Sequence, residues 1–228
     1  MRQFSVAHLA ALAALVLAGT LAIVMPRRQP GRWVRLASWA VAGVIFAGWA
    51  GEYVGEVIVG TWTIQYSLPL QLTDAVSLSA ISALLTGRRL FVELTYFWAF
   101  SASLQAALTP DLGSTFPSFY YFTYFAYHVG SIVAACLLVF GCRLYPPRGS
   151  IWRVYTVTLA FTAVSGLGDV ITGGNYMYLR NKPIHNSLLS VMGPWPLYIA
   201  SGAALGLVMF AILNAIASTV ARRDFVHA

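Results

Sequence analysis

The sequence has few charged residues. Only 9% of its 228 residues are Asp, Glu, Lys or Arg and 59% are hydrophobic, whereas an ordinary soluble domain is roughly 25% charged. This composition predicts an integral membrane protein. The formal charge of +7 does not indicate a nucleic-acid partner, because the arginines cluster between apolar runs and no basic face or aromatic platform accompanies them.

Lysine and cysteine are almost absent. The single lysine, Lys182, lies in a predicted outer loop, so no lysine of a last helix is available for the Schiff base of a seven-helix retinal protein. Cys136 and Cys142 lie on one predicted helix, about 9 Å apart along its axis, which excludes a disulfide between them. There is no C-x-x-C or H-E-x-x-H motif, and no second histidine is expected within the membrane beside His128. We therefore expect neither a metal nor another cofactor.

Long apolar runs are the main feature of the sequence. Seven of them approach the roughly twenty residues that cross about 30 Å of hydrocarbon. They predict an all-α fold, a polytopic helical bundle that forms one membrane domain over residues 1–228. The runs lie near residues 4–25, 36–60, 68–87, 90–108, 118–141, 152–172 and 194–219.

The distribution of basic residues predicts the orientation of the chain. Eleven of the fourteen lie in the segments that follow the first, third, fifth and seventh runs. The positive-inside rule therefore places the N-terminus outside and the C-terminus in the cytoplasm. The sequence leaves the oligomeric state open.

Polar side chains inside the predicted spans are the first candidates for function, because on insertion scales a charged group there costs about 2.5 to 3.5 kcal/mol. Glu52 and Glu56 share one face of the second helix, and Tyr124 and His128 share one face of the fifth. The other candidates within the spans are Gln71, Thr73, Asp74, Gln105 and Asp169. For each of them the alternative is a hydrogen bond that only joins helices. For Thr73 that alternative is a bond to the carbonyl four residues earlier, that of Pro69.

Five separated motifs carry a family resemblance. They are LPLQLTDA at 68–75, SLQAALTPDL at 103–112, FPSFYYFTYFAYHVG at 116–130, NYMYLRNKP at 175–183 and GPWPLYI at 193–199. Over about residues 45–205 the chain resembles the YwaF-like family of bacterial multi-pass membrane proteins. That family is similar to the eukaryotic TMEM-type acyltransferases of ether-lipid metabolism and, more distantly, to the androgen-induced hydrolases that cleave fatty esters with a threonine and a histidine. The resemblance implies membrane lipids as substrates and the cytoplasmic membrane of a bacterium as the location.

The resemblance also implies a catalytic pair, Thr73 and His128. The acyltransferase relatives have a cysteine where this chain has Thr73, and their histidine corresponds to His128. A threonine hydroxyl needs an adjacent base to act as a nucleophile, so this departure fits the hydrolases better. His128 would take the proton of Thr73 and return it to the leaving alkoxide, with an acyl-threonine as the intermediate.

Supporting roles are open at this point. Asp74 or Gln71 could orient His128 or donate to an oxyanion, and Asp169 or Glu52 could orient it equally well. Further residues expected to orient groups or to bind substrate are Glu56, Gln105, Tyr124 and Asn175. The competing function is a transporter or a membrane protein that binds a small molecule or ion, because polar groups inside a helical bundle also mark substrate and proton paths.

Overall fold

The structure, a computed structural model, describes residues 3–183 and 188–226. The remaining residues of the predicted domain, 1, 2, 184–187, 227 and 228, lie outside the described part. Within that part the chain is helical and has no strand, which confirms the all-α prediction. The long helices are α1 (Val6–Arg28), α2 (Arg32–Val59), α3 (Leu72–Thr86), α4 (89–108), α5 (Phe119–Gly141), α6 (Ser150–Thr172) and α7 (Leu197–Val226).

Among the described residues, five helices are long and apolar enough to cross a membrane: α1, α2, α5, α6 and α7. The helix α3 has only 15 residues, and α4 is divided by a π-helical segment. Five candidate spans are therefore shown, whereas the count of seven and the orientation of the termini stay predictions. The run expected near 68–87 begins as a helix only at Leu72, because the preceding LPLQ is held in a non-helical loop.

The packing places α5 at the centre of the bundle. In the most apolar 18-residue stretch of α5, 72% of the residues are buried inside the protein, against 6% in that of α7. The helix α5 contacts α2 and α3, which also contact each other, and α4 packs on α3 and α5. The helix α5 thus forms the interior of the bundle, in contact with α2, α3 and α4.

Glycines allow α2 and α5 to approach closely. A Cβ atom added at Gly48 would lie 2.8 Å from the Cβ of Ala126 and 2.9 Å from the carbonyl oxygen of Thr123. One added at Gly130 would lie 2.7 Å from Cγ1 of Ile45. Small residues bring helix backbones together in this way in membrane proteins. The close approach puts the polar side chains of α2 next to α5.

Two helices contain π-helical segments, Ala99–Ser103 in α4 and Cys136–Gly141 in α5. A π segment inserts an extra residue into a turn and redirects the side chains that follow. The carbonyl of Phe140, in the second segment, accepts a bond of 2.6 Å from Nε of Arg27 on α1. Cys136 and Cys142 are both free.

Ion pairs lie at the end of the bundle where α3 ends. Arg153 of α6 donates to both carboxylate oxygens of Glu93 at 3.0 and 3.1 Å. Arg27 of α1 pairs with Asp224 of α7 at 2.9 Å, and Tyr145 also donates to Asp224. Burial, together with the bond to that carboxylate, raises the pKa of Tyr145 to about 12. Tyr145 therefore stays protonated and remains a donor near neutral pH.

Candidate functional site

Asp74 joins α3 to α2 at the start of α3. Its Oδ1 accepts from Nε1 of Trp49 at 3.0 Å and from the hydroxyl of Tyr53 at 2.7 Å. Its Oδ2 accepts from the backbone N–H of Gln71 at 2.9 Å, which forms part of a capping box. Both oxygens of this buried carboxylate are therefore occupied by nearby donors.

Two more carboxylates lie close to Asp74. Oε2 of Glu52 accepts from the hydroxyl of Thr123 on α5 at 3.1 Å. One turn further along α2, Oε2 of Glu56 is buried and has no hydrogen-bond partner among the described residues. The three carboxylates interact electrostatically. Polar groups of this kind inside a helical bundle mark substrate and proton paths.

His128 lies on α5 and is 2% exposed. Its ring contacts those of Tyr124 and Tyr127, with centroid distances of 4.4 and 4.2 Å. Its Nδ1 is buried and has no partner in the described part of the chain. Because nearly all buried polar atoms are hydrogen-bonded, this unpartnered imidazole nitrogen makes His128 the first candidate for the site.

Thr73 lies in the first turn of α3, on the side of the helix that faces the bundle. It shares that side with Val76, Ser77 and Ala80, each at most 1% exposed. Within the described residues its hydroxyl makes no hydrogen bond, so the alternative bond to the Pro69 carbonyl is not present. Ser77 instead donates to the carbonyl of Thr73 at 2.9 Å. Since α3 packs on α5, Thr73 and His128 lie on adjacent helices, and their contact stays a prediction.

Asp169 and Gln71 hold the loop between α6 and α7. Oδ1 of Asp169 accepts from the backbone N–H of Tyr176 at 2.6 Å, whereas its buried Oδ2 has no partner among the described residues. Oε1 of Gln71 accepts from the N–H of Met177 at 2.9 Å. Asn175 organises the same loop, since its Oδ1 accepts from the backbone N–H groups of Arg180 and Asn181, five and six residues later.

The orienting roles suggested for Asp74, Gln71, Asp169 and Glu52 are not seen as hydrogen bonds to His128 in the described part of the structure. Each accepts from another donor: Asp74 from α2, Gln71 and Asp169 from the α6–α7 loop, and Glu52 from α5. These side chains therefore stabilise the walls of the site.

Gln105 does not join the buried group. It is exposed and its amide donates to the hydroxyl of Thr109, one turn along α4, at 2.8 Å. By contrast, Tyr124 is buried against His128 and donates to the carbonyl of Ala106 on α4 at 2.9 Å. Helix periodicity alone did not separate these two cases.

The residues that bind the carboxylates of Asp74 and Glu52 are missing from the sequence-based set. Trp49, Tyr53 and Thr123 bind the carboxylates, and the four-residue spacing of Trp49 and Tyr53 on one face of α2 was the only signal.

A second buried histidine also exists, against expectation. Nδ1 of His8 in α1 accepts from the N–H of Phe4 at 2.9 Å, and its Nε2 lies 2.8 Å from the Ala107 carbonyl. Both its nitrogens are thus occupied. The described residues contain no group of three or more potential metal ligands.

Asp74→Ala should destabilise the contact between α2 and α3. Loss of a helix cap costs about 1 kcal/mol and each of two interhelical hydrogen bonds about 0.6 kcal/mol, so the expected loss in free energy of unfolding is about 2 kcal/mol. Asp74→Asn keeps an acceptor for Trp49 and Tyr53 and should lose clearly less. Unfolding of both variants in mixed detergent micelles measures the difference, and equal losses would contradict this account of Asp74.

The site lies within the region shared with a known family. A family model described as TMEM164 family matches residues 3–214, which include every candidate residue. The comparison with curated proteins and the comparison with solved structures found no match. Together with the apolar helices, the match supports a multi-pass integral membrane protein.

Proposed function

The chain belongs to the TMEM164 family of membrane proteins, and from this premise we propose that it is a membrane-embedded lipid acyltransferase or lipid-ester hydrolase that works through an acyl-threonine. The observation that carries the proposal is the buried, unpartnered Nδ1 of His128, on a helix packed against the one that bears Thr73. The five motifs of the YwaF-like resemblance support the same chemistry and a bacterial cytoplasmic membrane as its location.

In the first half of the reaction, Oγ1 of Thr73 attacks the carbonyl carbon of a lipid ester while His128 takes the hydroxyl proton. The tetrahedral intermediate then collapses. The bond between the carbonyl carbon and the leaving oxygen breaks, and the leaving alkoxide takes the proton from His128. The products are a free lipid alcohol and an ester of Thr73.

In the second half, a lipid hydroxyl or water gives its proton to His128 and attacks the acyl-threonine. The Thr73 oxygen leaves and recovers the proton from His128. A lipid acceptor gives a new ester and makes the protein a transferase. Water gives a fatty acid and makes it a hydrolase.

The proposed substrate is an ester at the glycerol level of a phospholipid, which must reach a histidine well below the start of α5. His128 is about 15 Å along α5 from its capping residue Ser118, and Thr73 lies in the first turn of α3. The rings of Tyr124 and Tyr127 cover His128. Such a covered site limits the access of water to the acyl intermediate.

Intact-protein mass spectrometry tests the proposal. The purified protein is incubated with vesicles of dioleoyl phosphatidylcholine, phosphatidylethanolamine and phosphatidylglycerol, with and without a lysophospholipid acceptor. We expect an oleoyl-sized increment on the wild type that Thr73→Ala loses. Thr86→Ala is the matched control, since Thr86 lies at the other end of α3. Among the described residues its hydroxyl donates to the Ser82 carbonyl of its own helix and accepts from the N–H of Arg88, two residues later. No increment on the wild type, with unchanged lipids, would overturn the proposal.

One observation favours a second candidate function, binding or transport of a proton or cation. The buried Oε2 of Glu56 has no partner in the described structure and lies in a group of three interacting carboxylates. A proteoliposome flux assay discriminates the two functions. A proton or cation flux that Glu56→Gln abolishes, without any change in lipid composition, would favour transport over acyl transfer.

A further inference from the structure

The loop between α6 and α7 contains two adjacent residues in a rare backbone conformation. Met177 and Tyr178 have φ angles of 53° and 57°, in the left-handed region that residues other than glycine seldom adopt. A residue in this conformation persists only where its surroundings enforce it. The contacts of this loop therefore show which residues enforce the conformation.

Tyr176, the residue before this pair, fixes the loop to two parts of the protein. It is fully buried, and its N–H donates to Asp169 of α6 at 2.6 Å. Its hydroxyl donates to the carbonyl of Ile64 at 2.7 Å and accepts from the N–H of Leu68 at 3.0 Å. Both partners of the hydroxyl lie in the segment that leads into α3.

The next residue extends this attachment to the first turn of α3. The N–H of Met177 donates to Oε1 of Gln71 at 2.9 Å, and Gln71 is the N-cap of α3. Three residues later, Asp74 is bound to Trp49 and Tyr53 of α2. The first turn of α3, which carries Thr73, is thus bound to the α6–α7 loop through Gln71 and to α2 through Asp74.

We propose that Gln71 is a positioning residue, whose bond to the Met177 amide sets the place of Thr73 relative to His128. The inference rests on the proposed acyl-transfer function. The Gln71 side chain accepts from the Met177 N–H, so this bond ties the N-cap residue of α3 directly to the α6–α7 loop. Loss of the Gln71 acceptor frees the N-cap and lets Thr73 move, while α3 as a whole stays bound through Asp74.

The test uses two variants that differ in the acceptor. Gln71→Met has a similar volume and no acceptor, whereas Gln71→Glu keeps an acceptor on a chain of equal length. With the same vesicles, Gln71→Met should form the acyl adduct about ten to a hundred times more slowly, as when a reacting group is misplaced by about 1 Å. Gln71→Glu should restore most of the rate. Equal loss in both variants, or no loss in Gln71→Met, would overturn the inference.

Tyr198→Phe is the matched control for general loosening of the loop. The hydroxyl of Tyr198 donates to the carbonyl of Tyr178 at 2.6 Å, next to the Gln71 contact. Its removal should lower stability and leave the adduct rate at the wild-type value. If Tyr198→Phe slows adduct formation as much as Gln71→Met does, the slower rate is caused by a less stable loop and the inference fails.

A second readout does not depend on catalysis. Thr73→Cys is introduced with Cys136→Ser and Cys142→Ser, and its labelling by a membrane-permeant maleimide is timed with and without Gln71→Met. We expect Gln71→Met to change the labelling rate severalfold and Tyr198→Phe to leave it unchanged. That result, with no adduct on the wild type, would retain the positioning role and reject the acyl-transfer function. Unchanged labelling in Gln71→Met would overturn the positioning role itself.

Discussion

His128→Gln should lower the rate of acyl-threonine formation by about 10² to 10⁴, the range expected for loss of a general base. A glutamine amide fills similar space and does not take a proton near neutral pH. The hydroxyl of Thr73 then keeps its proton and is a poor nucleophile. Timed mass spectrometry of the adduct in phospholipid vesicles measures the rate directly.

His8→Gln is the control, because His8 is the other buried histidine of the described chain. Both its nitrogens have backbone partners, the N–H of Phe4 and the carbonyl of Ala107, so its role is to join α1 to α4. We expect His8→Gln to lower stability and keep the wild-type adduct rate. A wild-type rate in His128→Gln would remove His128 from the mechanism, and equal slowing in both variants would assign the effect to folding.

Much of the fold follows from the apolar runs. The run expected at 118–141 is the helix Phe119–Gly141, and that at 152–172 is Ser150–Thr172. The start of α3 was not predictable in the same way, because backbone groups of LPLQ bind distant residues: the Leu68 N–H binds Tyr176 and the Leu70 carbonyl binds Ser165. The sequence did not predict the π segments either, because one extra residue in a turn leaves the apolar composition unchanged.

The candidate site was predictable as a set of residues and not as a set of contacts. Polar residues within apolar runs identified Asp74, His128 and Asp169, which the structure buries. Their partners depend on which helices meet, and the sequence does not contain that information in its periodicity. Asp74 is the clearest case: an orienting role for His128 was suggested, whereas the donors that reach it are Trp49 and Tyr53 of α2.

Gly48→Leu should have the largest effect on stability, a loss of about 3 kcal/mol or more in free energy of unfolding, at the upper end for overpacked sites. Even the first added carbon would lie 2.8 Å from Cβ of Ala126 and 2.9 and 3.0 Å from backbone atoms of Thr123 and Tyr127. Backbone atoms cannot rotate away as a side-chain end can, so α2 and α5 must separate. That separation also breaks the 3.1 Å bond between Thr123 and Glu52.

Gly43→Leu provides the matched comparison on the same helix. Gly43 is exposed and has no atom within 4 Å of an added Cβ, so the substitution should gain up to about 1 kcal/mol from helix propensity. Unfolding in mixed detergent micelles compares the two variants. Equal stability would show that α2 and α5 do not pack as described. A destabilised Gly48→Leu with a wild-type adduct rate would show instead that the reaction does not need the carboxylates of α2 beside α5.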